Sequence, residues 1–89
     1  MTHEKLRELL SRVHEHLSTS GSSLDAESRR LLGALMRDIE RALGAGAADA
    51  AAAAAAPRLE SLAVRFEAGH PGLAKTLREL IDALVKAGI

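Results

Sequence analysis

Histidine is the residue type in this 89-residue chain that could do acid–base chemistry or bind a metal near neutral pH, and it occurs four times. His14 and His16 flank Glu15 and resemble a ligand cluster. On a helix, however, residues two apart point about 200° away from each other, whereas metal-binding pairs are three or four residues apart. His3 shares a face with His14 but lies about 16 Å from it along the axis. No ligand pair within one chain is therefore predicted, and neither a metal nor a cofactor is expected.

His14 and His16 are predicted to lie at the solvated edges of a packed helical seam. One alternative is a pH-sensitive contact between subunits at His14 or His16. Another is a weak metal or small-ligand site that uses His14 or His16 across a subunit interface. His70 precedes Pro71 in a turn and is expected to cap or fix that turn.

No other group of residues indicates catalysis. The carboxylates lie among basic neighbours on polar helix faces, and no serine stands in a nucleophile elbow. A phosphate-binding loop of the GxxxxGK[ST] type is absent from the sequence. The sequence therefore predicts a protein that is not an enzyme and has no catalytic residues.

Composition narrows the class of protein further. Lys and Arg number 12, Asp and Glu number 12, cysteine is absent, and Phe66 is the one aromatic residue. Zero net charge argues against nucleic-acid binding, and the lack of cysteine excludes disulfides and thiolate metal sites. No apolar run approaches the ~20 residues of a membrane span, and the start does not resemble a secretory leader. We expect a single cytoplasmic domain with neither a nucleic-acid nor a membrane partner.

The abundance of leucine and alanine predicts an all-α fold. A first amphipathic helix is expected from about His3 to Leu17, with Thr2 as its N-cap. A second helix is expected from Ala26 to Leu43, with Gly44 as its C′ residue. A run of serine and glycine joins the two helices, which predicts an antiparallel helical hairpin over about residues 3–43.

The stretch over residues 44–56 has two interpretations. Its sequence is GAGAADAAAAAAA, in which the Gly-Ala start indicates a linker while the alanine run has the highest helix propensity. Inside a helix, Pro57 would lack one hydrogen bond and clash with the carbonyl of Ala53. We favour a Gly/Ala-rich linker over residues 44–56, its last turn or so helical, with Pro57 at the start of helix three. The alternative is a kinked helix that begins near Asp49.

Helices three and four are expected to form a second hairpin over about residues 57–88. Helices two and four each carry an apolar face about 140° wide, more than one short neighbour would cover. We therefore expect a four-helix arrangement, completed by homodimers or higher homo-oligomers, in a non-enzymatic structural or protein-interaction module. The alternative is a monomeric adaptor that binds the amphipathic helix of another protein. The residues expected at the packing or interface surface are Leu31, Leu35, Ile39, Leu77, Leu80 and Leu84.

Three blocks of the chain resemble one bacterial family. They are MTHEKLRELLSRVHEHL at the start, LDAESRRLLGALMRDIERAL in the middle and RFEAGHPGLAKTLRELIDALVKAGI at the end. The last block is the most specific, through Phe66, His70, Pro71, Leu73 and its Gly-Ile ending. In these blocks the chain is similar to the family known as domain of unknown function 4404. The resemblance implies a small cytoplasmic bacterial protein of unknown role, and it implies no site residue.

Overall fold

Four α-helices and one short 3-10 turn make up the computed structural model, which describes residues 4–88. Within that range no strand occurs, so the prediction of an all-α fold is confirmed. The elements in chain order are α1 (Glu4–Ser20), the 3-10 turn (Gly21–Ser23), α2 (Ala26–Gly44), α3 (Ala48–Phe66) and α4 (Pro71–Gly88).

Two predictions fall on residues outside the described range, namely Thr2 as the N-cap of α1 and the site assignments at His3. In the part of the chain that the structure describes, no helix combines the length and the apolar character needed to cross a bilayer.

The C-terminus of α2 lies slightly later than predicted. The N–H of Ala47 donates to the carbonyl of Ala42 at 2.8 Å, and the N–H of Gly46 donates to the carbonyl of Leu43 at 3.1 Å. This pair of bonds is a Schellman motif, whose C′ residue adopts the left-handed conformation. That residue is Gly46, with φ of 76°. The prediction that Gly44 takes this place is therefore wrong, because Gly44 is still helical.

The alanine run is helical. α3 begins at Ala48 and passes through Pro57. The prediction of a linker over residues 44–56 is therefore wrong for residues 48–56, and the alternative of a helix from near Asp49 describes the fold. Ala51 and Ala55 are buried, whereas Pro57 is exposed. The helix propensity of alanine and the packing of this face together outweigh the hydrogen bond lost at the proline.

All four helices contribute to one aliphatic core. The most extensive packing joins α3 to α4, and further packing joins α2 to α3 and α1 to α4. The pair α3 and α4 is thus central, with α2 on one flank and α1 on the other. α1 and α2 meet through side chains, as in the 2.9 Å contact of His14 with Glu40. Fully buried residues, one from each helix, include Leu9, Met36, Leu59 and Leu77.

We expect Pro57→Ala to raise the free energy of unfolding by about 1–3 kcal/mol, because it restores a backbone donor in the middle of a helix and loses no buried surface. Chemical denaturation followed by circular dichroism measures the change. The control is Pro71→Ala, because Pro71 begins α4, where proline is favoured, and its replacement should bring no gain. An unchanged or lower stability of Pro57→Ala would mean that Pro57 begins a helix.

Candidate functional site

The six leucine and isoleucine residues predicted for packing or an interface separate into two groups. Leu77, Leu80 and Leu84 are completely buried within the chain, as α4 packs against α3 and α1. Leu35 and Ile39 on α2 are also buried, although each borders the surface described next. Leu31 differs from the others, because 44% of it is exposed. The apolar face of α4 is therefore used inside one chain, and that of α2 is covered only in part.

Leu31 lies at one end of a furrow between α2 and α3, which we call the α2–α3 furrow. Two adjoining cavities form it, with volumes of about 260 and 460 Å³. They share Leu35, Asp38 and Arg58, so the furrow is continuous. Its apolar lining comprises Leu31, Ala34, Leu35, Ile39, Ala42, Ala45, Ala50, Ala51, Ala54, Ala55 and Leu62, and its polar lining comprises Asp38, Arg41, Arg58, Ser61 and Arg65.

Helical periodicity explains why these residues share one surface. The α2 side includes Leu31, Ala34, Leu35 and Asp38, and the α3 side includes four residues with the same spacing from Arg58 to Arg65. Steps of three, four and seven residues place side chains on one helix face. The lining runs from residue 31 to residue 45 along α2 and just beyond it, and from residue 50 to residue 65 along α3. At the rise of an α-helix, the furrow is therefore about 20 Å long.

Small side chains keep the furrow open. In its second half, α3 contributes only alanines and Arg58, and an alanine side chain covers little of the space between two helices. This surface was not predicted from the sequence, because a linker over the alanine run cannot form the wall of a groove. The helix propensity of seven consecutive alanines was the signal that could have revealed it.

The charges around the furrow are unbalanced, with three arginines and one aspartate. No carboxylate lies within 4 Å of the guanidinium groups of Arg41, Arg58 or Arg65 in the described part of the chain, and Asp38 has no ion pair there. A depression along α4 differs, because two pairs of opposite charges in its lining are in contact. There Arg78 contacts Glu67, and Lys86 contacts Asp82 at 3.0 Å. The lining of the furrow therefore carries an excess of positive charge.

A hydrogen-bond network fixes the end of the furrow near Arg65. Arg65 Nη1 donates to the Oγ of Ser28, a fully buried residue on α2, at 2.9 Å. The N–H of Ser28 donates to the carboxylate of Asp25 at 3.1 Å, which caps α2. Hydrogen bonds from Ser28 lower the pKa of the Asp25 carboxyl below its ordinary value. The cap of α2 and the side chain of Arg65 are thus linked through one buried serine.

His14 and His16, proposed as a pH-sensitive edge, lie in different surroundings. The Nε2 of His14 is 2.9 Å from a carboxylate oxygen of Glu40, and both side chains are about half exposed. Solvent screening keeps the free energy of such a pair small. His16 is partly buried, with its Nε2 3.5 Å from the hydroxyl of Thr76 on α4. The two histidines therefore face different helices, as their helical spacing indicates.

His16 and His70 line the same cavity, a proximity that helical spacing did not predict. The cavity has a volume of about 180 Å³ and is lined in addition by Ser20, Gly72 and Leu73. The rings of His70 and Phe66 meet edge-on, with their centroids 6.3 Å apart. The backbone carbonyl of His70 accepts a hydrogen bond from the N–H of Ala74 at the start of α4. Among residues 4–88, no three histidine or carboxylate side chains are grouped as a metal ion would require.

Comparison with known proteins identifies a family. The model of the family described as domain of unknown function (DUF4404) matches residues 6–89, and the chain therefore belongs to this family. The resemblance found in the sequence is thus confirmed. No curated protein and no solved structure matches the chain.

We expect Asp25→Asn to be less stable than the parent protein at pH 7, with the difference closing below about pH 4. The pKa of Asp25 is lowered in the folded state, so its ionised form stabilises the fold above the ordinary pKa. That contribution is lost as the pH falls through the folded-state value. Urea unfolding at pH 7 and pH 3 measures the difference, and Asp82→Asn on exposed α4 surface is the control. A difference that persists unchanged at pH 3 would contradict this assignment.

Proposed function

We propose that this member of a family of unknown function is a non-enzymatic helical module that binds protein through the α2–α3 furrow. The observation that carries the proposal is the exposure of Leu31 at an apolar groove, while the other five predicted packing residues are buried. A single exposed leucine is common on protein surfaces, but Leu31 adjoins a continuous lining of leucine and alanine. A contiguous apolar surface of this kind is typical of a contact surface. A cytoplasmic location, without a nucleic-acid or membrane partner, is part of the same proposal.

The dimensions of the furrow support a helix as its occupant. An amphipathic helix binds a groove through residues at steps of three, four and seven, which insert one apolar face. A furrow about 20 Å long accommodates about four turns of helix. Its alanine lining leaves room for side chains of the incoming helix, and Leu31, Leu35 and Leu62 provide an apolar floor at one end.

The helices are proposed to form two antiparallel hairpins within one bundle. The short connection between α3 and α4, together with their close packing, supports the second hairpin. α1 and α2 form the first, and each packs on a different helix of the central pair. Under this arrangement the bundle closes within one chain, and association with other chains requires only the furrow.

A second copy of the chain is one candidate occupant. Leu31 and Leu35 lie on the helix face from which the sequence predicts self-association, and a twofold axis would place this face against itself. The helix of a different protein is the other candidate. Both occupants would cover Leu31, so a substitution there tests the furrow whichever of them binds.

We expect Leu31→Glu to abolish binding at the furrow, because the substitution places a charge in an apolar contact. The chain should stay folded, because glutamate is a good helix former and the site is exposed. Light scattering on a size-exclusion column over a hundredfold concentration range measures self-association. Fluorescence of an anilinonaphthalene sulfonate dye measures exposed apolar surface in a monomer. The variant should lose either the oligomer or most of the dye signal.

The matched control is Val85→Glu on α4, because 45% of Val85 is exposed, almost the same as Leu31, and it does not line the furrow. Val85→Glu should leave both the oligomer and the dye signal intact. Equal effects of the two substitutions, or no effect of Leu31→Glu, would refute the furrow as the contact surface.

A further inference from the structure

We propose that the α2–α3 furrow binds an acidic amphipathic helix of another protein, rather than a second copy of this chain. The inference rests on the proposed function and specifies the chemistry of the partner. Three arginines and one aspartate surround an apolar floor, although the whole chain has zero net charge. The excess of positive charge is thus a property of this surface.

The arginines are distributed along the furrow. Arg58 borders both cavities and lies near the middle, Arg65 lies toward the Leu31 end, and Arg41 lies toward the other. Arg58 and Arg65 are seven residues apart on α3, which separates them by about 10 Å along the axis. A docked helix with carboxylates two turns apart, beside its apolar face, would reach both guanidinium groups.

These guanidinium groups have donors to spare. Arg65 uses Nη1 for Ser28, and a guanidinium has five N–H donors arranged to match a carboxylate. Arg58 has no carboxylate within 4 Å among residues 4–88. A bound helix would therefore not have to break an ion pair within the chain before forming its own.

The same charges disfavour a second copy. A dimer through the furrow would bring six arginines together with only the two copies of Asp38 to offset them. Opposed like charges weaken an interface and slow its formation. A helix with an acidic flank removes this repulsion and still covers Leu31, whereas a basic helix would add to it.

Two synthetic helical peptides of about four turns test the inference. Both carry the same leucine face, one with glutamate and the other with lysine along the flanks, and fluorescence anisotropy measures their binding to the full chain. We expect the acidic peptide to bind at least about tenfold more tightly than the basic one, and to weaken as salt is raised. Arg58→Glu should remove this preference. Arg7→Glu, a charge reversal on exposed α1 surface, should leave it unchanged.

Each outcome decides between the two proposals. Equal binding of both peptides, or a preference that Arg58→Glu leaves intact, would overturn the acidic partner but keep the furrow as a helix-binding site. A dimer that excludes both peptides, and that dissociates when Leu31 is replaced by glutamate, would identify a second copy as the occupant. That result would also overturn the acidic partner. A monomer that binds neither peptide would overturn this inference and the proposed function together. Circular dichroism of each variant verifies that it is folded.

Discussion

Packing of the alanine-rich half of α3 is the constraint on which the rest of this fold depends. α3 is the helix that packs closely against both α2 and α4, and it carries the buried alanines Ala51, Ala55 and Ala63. Alanine loses no side-chain entropy on burial and allows helix backbones to approach closely. α2 has its close backbone packing with α3, so an unfolded first half of α3 would remove much of its support. It would also remove one wall of the furrow.

The sequence predicted the helices through the periodicity of leucine, and it failed where local and tertiary effects oppose each other. The stripes of α1, α2 and α4 are continuous, so their existence and buried faces could be inferred from spacing alone. In α3 a proline directly follows an alanine run that has no large apolar residue to mark a face. The packing of the buried residues Ala51 and Ala55 stabilises the helix here. This tertiary contribution cannot be inferred from the local sequence. The left-handed residue after α2 was predicted two positions too early, because Gly44 and Gly46 both suit that position.

The candidate surface could be predicted only in part. Leu31 was identified from its place on α2, but its exposure depends on where α3 lies. Arg58 was assigned to the start of a helix and therefore had no apparent relation to Leu31 or Asp38. The furrow joins Leu31 and Arg58, which are 27 positions apart in the sequence. His16 and His70, which line one cavity, are 54 positions apart. Such juxtapositions follow from the packing order of the helices, which sequence periodicity does not determine.

Amide hydrogen exchange measured by NMR at residues 51–56 tests the central claim most directly. If α3 is one packed helix, these amides are protected to nearly the same degree as those of Leu59 and Leu62, since all belong to the same cooperative unit. Exchange of residues 51–56 at the rate of an unstructured chain, with protection beginning only after Pro57, would contradict this account. The alanine run would then be a linker, and the furrow would lose the wall on which both proposals depend.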